Sequence, residues 1–82
     1  MENEQIIFPQ YRKHANGKHL YKITDEKRFQ EIQFIGSKKV LFRFKATKYP
    51  EMLRVKDMLA GIEPYLQSNE SEWEQIFSSL EK

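Results

Sequence analysis

Two histidines stand on either side of a short turn signal near the start of the chain. His14 and His19 flank Asn16-Gly17, and this dipeptide readily adopts the positive φ angles of a two-residue hairpin turn. In the register that such a turn sets, the two imidazoles face each other. Because zinc in proteins takes at least three protein ligands, the sequence predicts an exposed histidine pair and no metal site.

Basic residues and one tyrosine in the first half of the chain form a second candidate site. They are predicted on one face of the first hairpin and on the outer face of a later strand: Tyr11, Lys13, Lys18, Lys22, Lys39, Arg43 and Lys45. Cations around an aromatic ring on an open sheet suit single-stranded nucleic acid, through phosphate contact and base stacking. Such cations also protect strand edges from aggregation, so nucleic-acid binding is the alternative hypothesis.

An apolar stripe near the end of the chain is the third candidate. Trp73, Ile76, Phe77 and Leu80 recur at helical spacing. A stripe of this kind usually faces the core, but it can instead bind a groove on a partner protein. Truncation at Ser68 distinguishes the two, because only an interaction helix can be removed without unfolding the remainder.

The composition argues against an enzyme. The chain has 82 residues, no cysteine and three glycines, which excludes thiol chemistry and a glycine-rich phosphate loop. Serine-hydrolase and zinc-protease motifs are also missing. We therefore expect one domain with no catalytic residue, no cofactor and no metal.

Hydropathy points to a cytoplasmic protein, and the charge differs between its two halves. The N-terminus is acidic and polar, and no apolar run approaches the roughly 18 residues of a membrane helix. Residues 1–48 hold 11 Lys and Arg against 5 Asp and Glu, whereas residues 49–82 hold 3 against 7. Such halves are expected to face each other within the fold or across a homodimer.

The stretch from Lys39 to Thr47 organises the predicted fold. Val40, Phe42 and Phe44 alternate with polar residues, which is typical of a half-buried strand. Only Leu41 departs from the alternation. We expect Phe42 to be central to the core, and its replacement by alanine to cost roughly 3–5 kcal/mol.

The remaining elements are read from turn and capping signals. Asn16-Gly17 predicts a hairpin that pairs Gln10 with Ile23 and Lys13 with Leu20. A short helix is expected after Thr24, followed by a strand over 32–35; the alternative is a strand that already runs from Phe29. For the loop at Gly36-Ser37, a three-residue connection is favoured over a two-residue one, since it pairs apolar with apolar residues.

Two helices are predicted in the second half of the chain. The first spans about 50–60, with a proline in its first turn and Gly61 at its C-terminal end. The second spans about 72–80, and Ser71 with Glu74 forms a capping-box pattern. Residues 63–69 are expected to be a connection in which Tyr65 and Leu66 pack.

Several strings also carry a family resemblance. They are Phe8-Pro9-Gln10-Tyr11-Arg12-Lys13, Lys22-Ile23, Phe29, Gln33, Ile35-Gly36-Ser37 and Tyr49-Pro50-Glu51. Over about residues 8–60 the chain resembles a family of short, uncharacterised bacterial proteins. That family has no assigned chemistry, so the resemblance implies a stand-alone bacterial cytoplasmic protein and no particular site residue.

Together these patterns predict an α+β domain. An antiparallel sheet of about four strands, in two hairpins, is expected to be covered on one face by the two C-terminal helices, with residues 1–4 and 81–82 disordered. The predicted core is Phe8, Tyr21, Ile23, Phe29, Ile32, Phe34, Val40, Phe42, Phe44, Met52, Val55, Leu59, Trp73, Ile76 and Phe77. The expected function is that of a non-enzymatic interaction module.

Overall fold

The computed structural model describes residues 7–80. Its elements are β1 (Gln10–His14), β2 (His19–Ile23), β3 (Arg28–Ile35), β4 (Lys38–Lys45), α1 (Tyr49–Ala60), β5 (Tyr65–Gln67) and α2 (Glu70–Ser79). The strands form one antiparallel sheet in the order β4-β3-β2-β1-β5. The α+β class is therefore confirmed, with five strands where about four were expected. The expectation of disorder at 1–4 and 81–82 lies outside the described residues.

The first hairpin has the predicted register. Gln10 pairs with Ile23 and Lys13 with Leu20, and Gly17 has a φ of 77°. The Asn16 side chain accepts a hydrogen bond from the backbone N–H of Lys18 at 2.8 Å. Local turn chemistry alone was sufficient to place these two strands.

The second hairpin has the two-residue turn that the sequence analysis rejected. Ile35 pairs with Lys38, so that Glu31 lies opposite Phe42 and not opposite another polar residue. Gly36 has a φ of 62°, which a residue with a side chain adopts only with strain. The three-residue loop was wrong because the polar Glu31 on the buried face finds partners there, as described below.

Two other local predictions differ from the structure. The residues proposed for a short helix form a turn before β3, in which Thr24 bonds the carbonyl of Arg28 and the Asp25 carboxylate accepts from the N–H of Lys27. Capping side chains thus serve a turn instead of a helix. The cap of α2 is Asn69, whose side chain accepts from Glu72 N, and not Ser71.

The predicted helix at 50–60 is confirmed as α1. Pro50 lies in its first turn, and the Glu51 carboxylate accepts from the N–H of Lys48. Gly61 ends the helix with a left-handed φ of 72°. The stretch expected to be only a connection contains β5, which adds to the free side of β1.

The two helices cover opposite faces of the sheet, whereas one covered face was expected. We call face A the side that carries Tyr21 and Phe29, against which α1 packs with Val55 and Met58. Face B is the opposite side, where Trp73 of α2 packs on Leu20, Ile32 and Leu41. The central strands are apolar on both sides, so each side requires a cover.

Most of the predicted core is buried or packed against the two clusters. The confirmed members are Phe8, Tyr21, Ile23, Phe29, Ile32, Phe34, Phe44, Val55, Leu59, Trp73, Ile76 and Phe77. Phe42 and Met52 were wrong, since 38 % and 40 % of their surfaces are exposed, and Val40 is only half-buried. Leu41, which breaks the alternation, packs on face B because α2 covers that side.

Candidate functional site

A buried carboxylate lies near the middle of face A. The Glu31 side chain is only 2 % exposed, and its Oε2 lies 2.6 Å from Nδ1 of His19 on the neighbouring strand. Its Oε1 accepts a hydrogen bond of 3.4 Å from Arg54 of α1. A buried carboxylate is stabilised only when it is paired and hydrogen-bonded, and these two contacts meet that condition.

Arg54 connects α1 to the aromatic rings of face A. Its guanidinium carbon lies 5.4–5.9 Å from the ring centroids of Tyr21, Phe29 and Phe44, within the range of cation–π attraction. Burial lowers the pKa of Arg54, but polar contacts with the tyrosine hydroxyls and the charge of Glu31 outweigh it and raise the pKa overall. Arg54 therefore stays charged and holds the helix against the sheet.

The two histidines face each other as predicted, with ring centroids 5.3 Å apart. The expectation that both are exposed was wrong, since each is half-buried and His19 contacts Glu31. His14 Nδ1 accepts a hydrogen bond from the N–H of Asn16, so its neutral ring carries the proton on Nε2. His19 directs Nδ1 toward Glu31. Because Nδ1 of both rings is occupied and Nε2 of His14 bears a proton, the pair does not present two lone pairs to one ion. Within residues 7–80, no three potential ligands cluster as a metal site requires.

Arg12 holds the other end of α1. It is buried, and its guanidinium donates hydrogen bonds of 2.7 and 3.2 Å to the carbonyls of Met58 and Leu59. These are the last carbonyls of the helix, where a cation is favourable. Burial lowers the pKa of Arg12. Sequence patterning did not identify Arg12 or Glu31, because their partners are distant in the chain.

The outer edge of β4 is the most extended open edge of the sheet. The N–H of Ala46 bonds the carbonyl of Lys27, so by alternation the even-numbered residues of β4 bond to β3. The backbone groups of Lys39, Leu41, Arg43 and Lys45 then point away from the sheet. Among the described residues no strand pairs with them.

The side chains along this edge differ in character between the two faces. On face A the edge presents half-buried Val40 and exposed Phe42, and on face B it presents exposed cations at Lys39, Arg43 and Lys45. None of these three cations has a carboxylate within 4.0 Å in the described chain. We call this strand, with its outward backbone groups, the β4 edge.

The seven residues predicted as a ligand face all belong to face B, but α2 crosses it. Tyr11 packs against Trp73 at 6.5 Å between ring centroids; burial, followed by the charges of Glu70 and Glu74, raises its pKa. Lys13 pairs with Glu72 at 3.6 Å. Of the seven residues, Lys18, Lys39, Arg43 and Lys45 are exposed, whereas Tyr11, Lys13 and Lys22 are half-buried.

A cleft of about 430 Å³ lies between the tip of the first hairpin and α2. Its floor is apolar, with Leu20, Phe34 and Ile76, and the Lys13–Glu72 pair lies at its rim. The side chains of His14, His19 and Gln75 also line the cleft, so an apolar floor is bordered by polar groups.

Comparisons with known proteins add no functional information. No protein-family model, no curated protein and no solved structure matches the chain. The bacterial family resemblance therefore stays a prediction. No helix within residues 7–80 has the length and apolar character needed to cross a membrane.

Proposed function

We propose that this protein is a non-enzymatic interaction module that binds an extended segment of a partner protein at the β4 edge. The observation that supports it is the row of outward backbone groups at Lys39, Leu41, Arg43 and Lys45, which ends a five-stranded sheet. A segment that adds to such an edge gains main-chain hydrogen bonds, and its side chains reach both faces.

The β4 edge is long and well supported for this task. β4 spans eight residues, whereas β5 at the opposite edge spans three. On its inner side, Phe44 stacks on Phe29 with ring centroids 4.8 Å apart, and Leu41 belongs to the face B cluster. An incoming strand therefore meets an ordered template and orders little of the protein itself.

The polar network at Glu31 has a structural role in this proposal. Glu31 is enclosed by its contacts to His19 and Arg54, and Tyr21 above it is also buried. A carboxylate–imidazole pair can orient a general base, but here His19 and Arg54 connect Glu31 to the first hairpin and to α1. The lack of cysteine supports a place in a reducing compartment such as the cytoplasm.

Single-stranded nucleic acid is the second candidate ligand. It is favoured by the exposed cations Arg43 and Lys45 on face B, with half-buried Lys22 in the same row. It is disfavoured by Tyr11, whose ring packs on Trp73 and is not free to stack on a base. Oligonucleotide affinity that falls steeply with salt would favour this candidate.

Two variants at one position test strand addition. Peptides selected from a displayed library on the wild-type protein are titrated against R43A, which loses only the side chain, and R43P, which also loses an outward N–H. Proline is tolerated where the N–H faces solvent on an edge strand. The proposal expects R43P to bind at least several-fold more weakly than R43A. Equal affinities in two folded variants would contradict it.

A further inference from the structure

We infer that the segment taken up at the β4 edge is acidic, with carboxylates opposite Lys39, Arg43 and Lys45 on face B and apolar residues opposite Val40, Leu41 and Phe42. This inference rests on the proposed strand addition and specifies the partner. The Cβ atoms of residues directly opposite on neighbouring strands lie about 4.5–5.5 Å apart, so opposite charges at such positions attract and like charges repel.

The charges of β4 determine what can lie beside it. On face B the strand carries Lys39, Arg43 and Lys45, all exposed and without a carboxylate within 4.0 Å in the described chain. The row Lys22–Gln30–Arg43 adds another cation on the same face two strands away. An incoming strand with acidic residues opposite these three positions would neutralise positive charges that no carboxylate of the described residues neutralises.

A second copy of the chain does not fit this edge. A two-fold antiparallel pairing centred on Leu41 would put Lys39 opposite Arg43. One centred on Phe42 would put Lys39 opposite Lys45. Both registers place cations against cations, which is the arrangement that natural edge strands use to prevent self-association. In these two registers the edge therefore disfavours its own copy, whereas an acidic partner finds opposite charges.

The apolar side of the segment follows from face A. Phe42 is 38 % exposed and Val40 is half-buried, so both retain surface that a neighbouring strand covers. On face B, Leu41 is the one apolar position between the cations. An antiparallel segment that matches the whole edge thus has acids opposite Lys45, Arg43 and Lys39, and apolar residues opposite Phe42, Leu41 and Val40.

A designed peptide set tests the inference. The matched peptide has seven residues with blocked ends: glutamate at its first, third and seventh positions, threonine at its second, and valine at the other three. A block peptide has the same composition with the glutamates consecutive, and a neutral peptide has glutamine in place of glutamate. We expect the matched peptide to bind on the order of ten-fold more tightly than either control.

The protein variants make failure of the inference distinguishable from failure of the proposed function. In a double variant carrying R43Q and K45Q, the matched peptide should lose most of its advantage, whereas the neutral peptide should bind unchanged. Equal binding of neutral and matched peptides, both weakened by R43P, would overturn the acidic specificity and leave strand addition standing. If R43P leaves the affinity of all three peptides unchanged, both the acidic specificity and the proposed strand addition are contradicted.

Two further measurements complete the test. In the first measurement, sedimentation of the free protein should show no dimer formed through the β4 edge. A dimer that is present in the wild type and absent in R43P would show that a second copy does bind this edge. In the second measurement, an oligothymidylate competes with the matched peptide. If it displaces the peptide, and if R43A and R43P weaken its binding equally, the cations contact phosphate and the inference is overturned.

Discussion

Glu31 and Phe42 lie directly opposite each other on β3 and β4, and the carboxylate is the buried member of the pair. The Glu31 side chain is 2 % exposed, whereas Phe42 is 38 % exposed. Glu31 is buried in place of the apolar Phe42 because α1 directs Arg54 onto the carboxylate. The same arrangement leaves the aromatic ring at the open β4 edge.

Removal of the Glu31 carboxylate should strongly destabilise the fold. E31A leaves His19 and Arg54 without their shared partner, and we expect a loss of about 3 kcal/mol in the free energy of unfolding. E31Q keeps hydrogen-bonding capacity and should lose about 1–2 kcal/mol. Urea unfolding followed by circular dichroism measures both, with exposed Glu26 changed to glutamine as the control, expected within about 0.5 kcal/mol. An E31A midpoint equal to that of E26Q would contradict the network.

Two phenylalanines that stand in similar sequence contexts should differ in their contributions to stability. Phe29 is 2 % exposed, so F29A should cost roughly 3–5 kcal/mol. F42A should cost about 1–2 kcal/mol, because much of the ring is already in water. The expectation that Phe42 is central to the core was wrong for this reason. Parallel urea titrations measure both free energies of unfolding. A larger loss of stability in F42A than in F29A would place Phe42 at the centre of the core after all.

The helix α2 should be required for folding. Trp73 is 1 % exposed and packs on Leu20 and Ile32, so truncation at Ser68 uncovers face B. We expect the truncated chain to lose cooperative unfolding and W73A to lose roughly 3–5 kcal/mol, with exposed S71A unchanged. A truncated chain that remains folded and monomeric would instead make α2 an interaction element.

Alkaline pH should unfold the protein through Tyr21. Burial, the largest cause, raises the pKa of Tyr21 above its ordinary value of 10.0, so the folded state favours the neutral phenol. The resulting stabilisation is complete below pH 10 and is lost as pH rises through the higher folded-state pKa. The free energy of unfolding measured from pH 8 to 12 should fall more steeply in the wild type than in Y21F. Equal slopes would show that Tyr21 ionises freely in the folded protein.

Local chemistry predicted the parts of the fold that depend on adjacent residues. The turn at Asn16-Gly17 gave the first register, and Pro50 with Gly61 gave the bounds of α1 to within a residue. The Gly36-Ser37 turn also obeyed local chemistry. The three-residue loop chosen instead relied on a general rule that polar residues avoid the buried face.

The remaining features depend on partners distant in the sequence. Glu31 meets His19 and Arg54, which are 12 and 23 residues away, and Arg12 meets α1 carbonyls 46 and 47 residues away. The alternation around Phe42 identified a strand correctly but could not identify which face each helix would cover. The predicted cations do share one face, yet only the position of α2 determines which of them remain open.

Amide hydrogen exchange on β4 tests strand addition at the β4 edge most directly. In the free protein the outward amides of Leu41 and Arg43 should exchange quickly, and the inward amides of Phe42 and Phe44 slowly. Saturation with the matched acidic peptide should slow Leu41 and Arg43 by at least ten-fold and leave the inward amides unchanged. Unaltered exchange at Leu41 and Arg43 while the peptide is bound would show that binding occurs elsewhere and would contradict the proposed function.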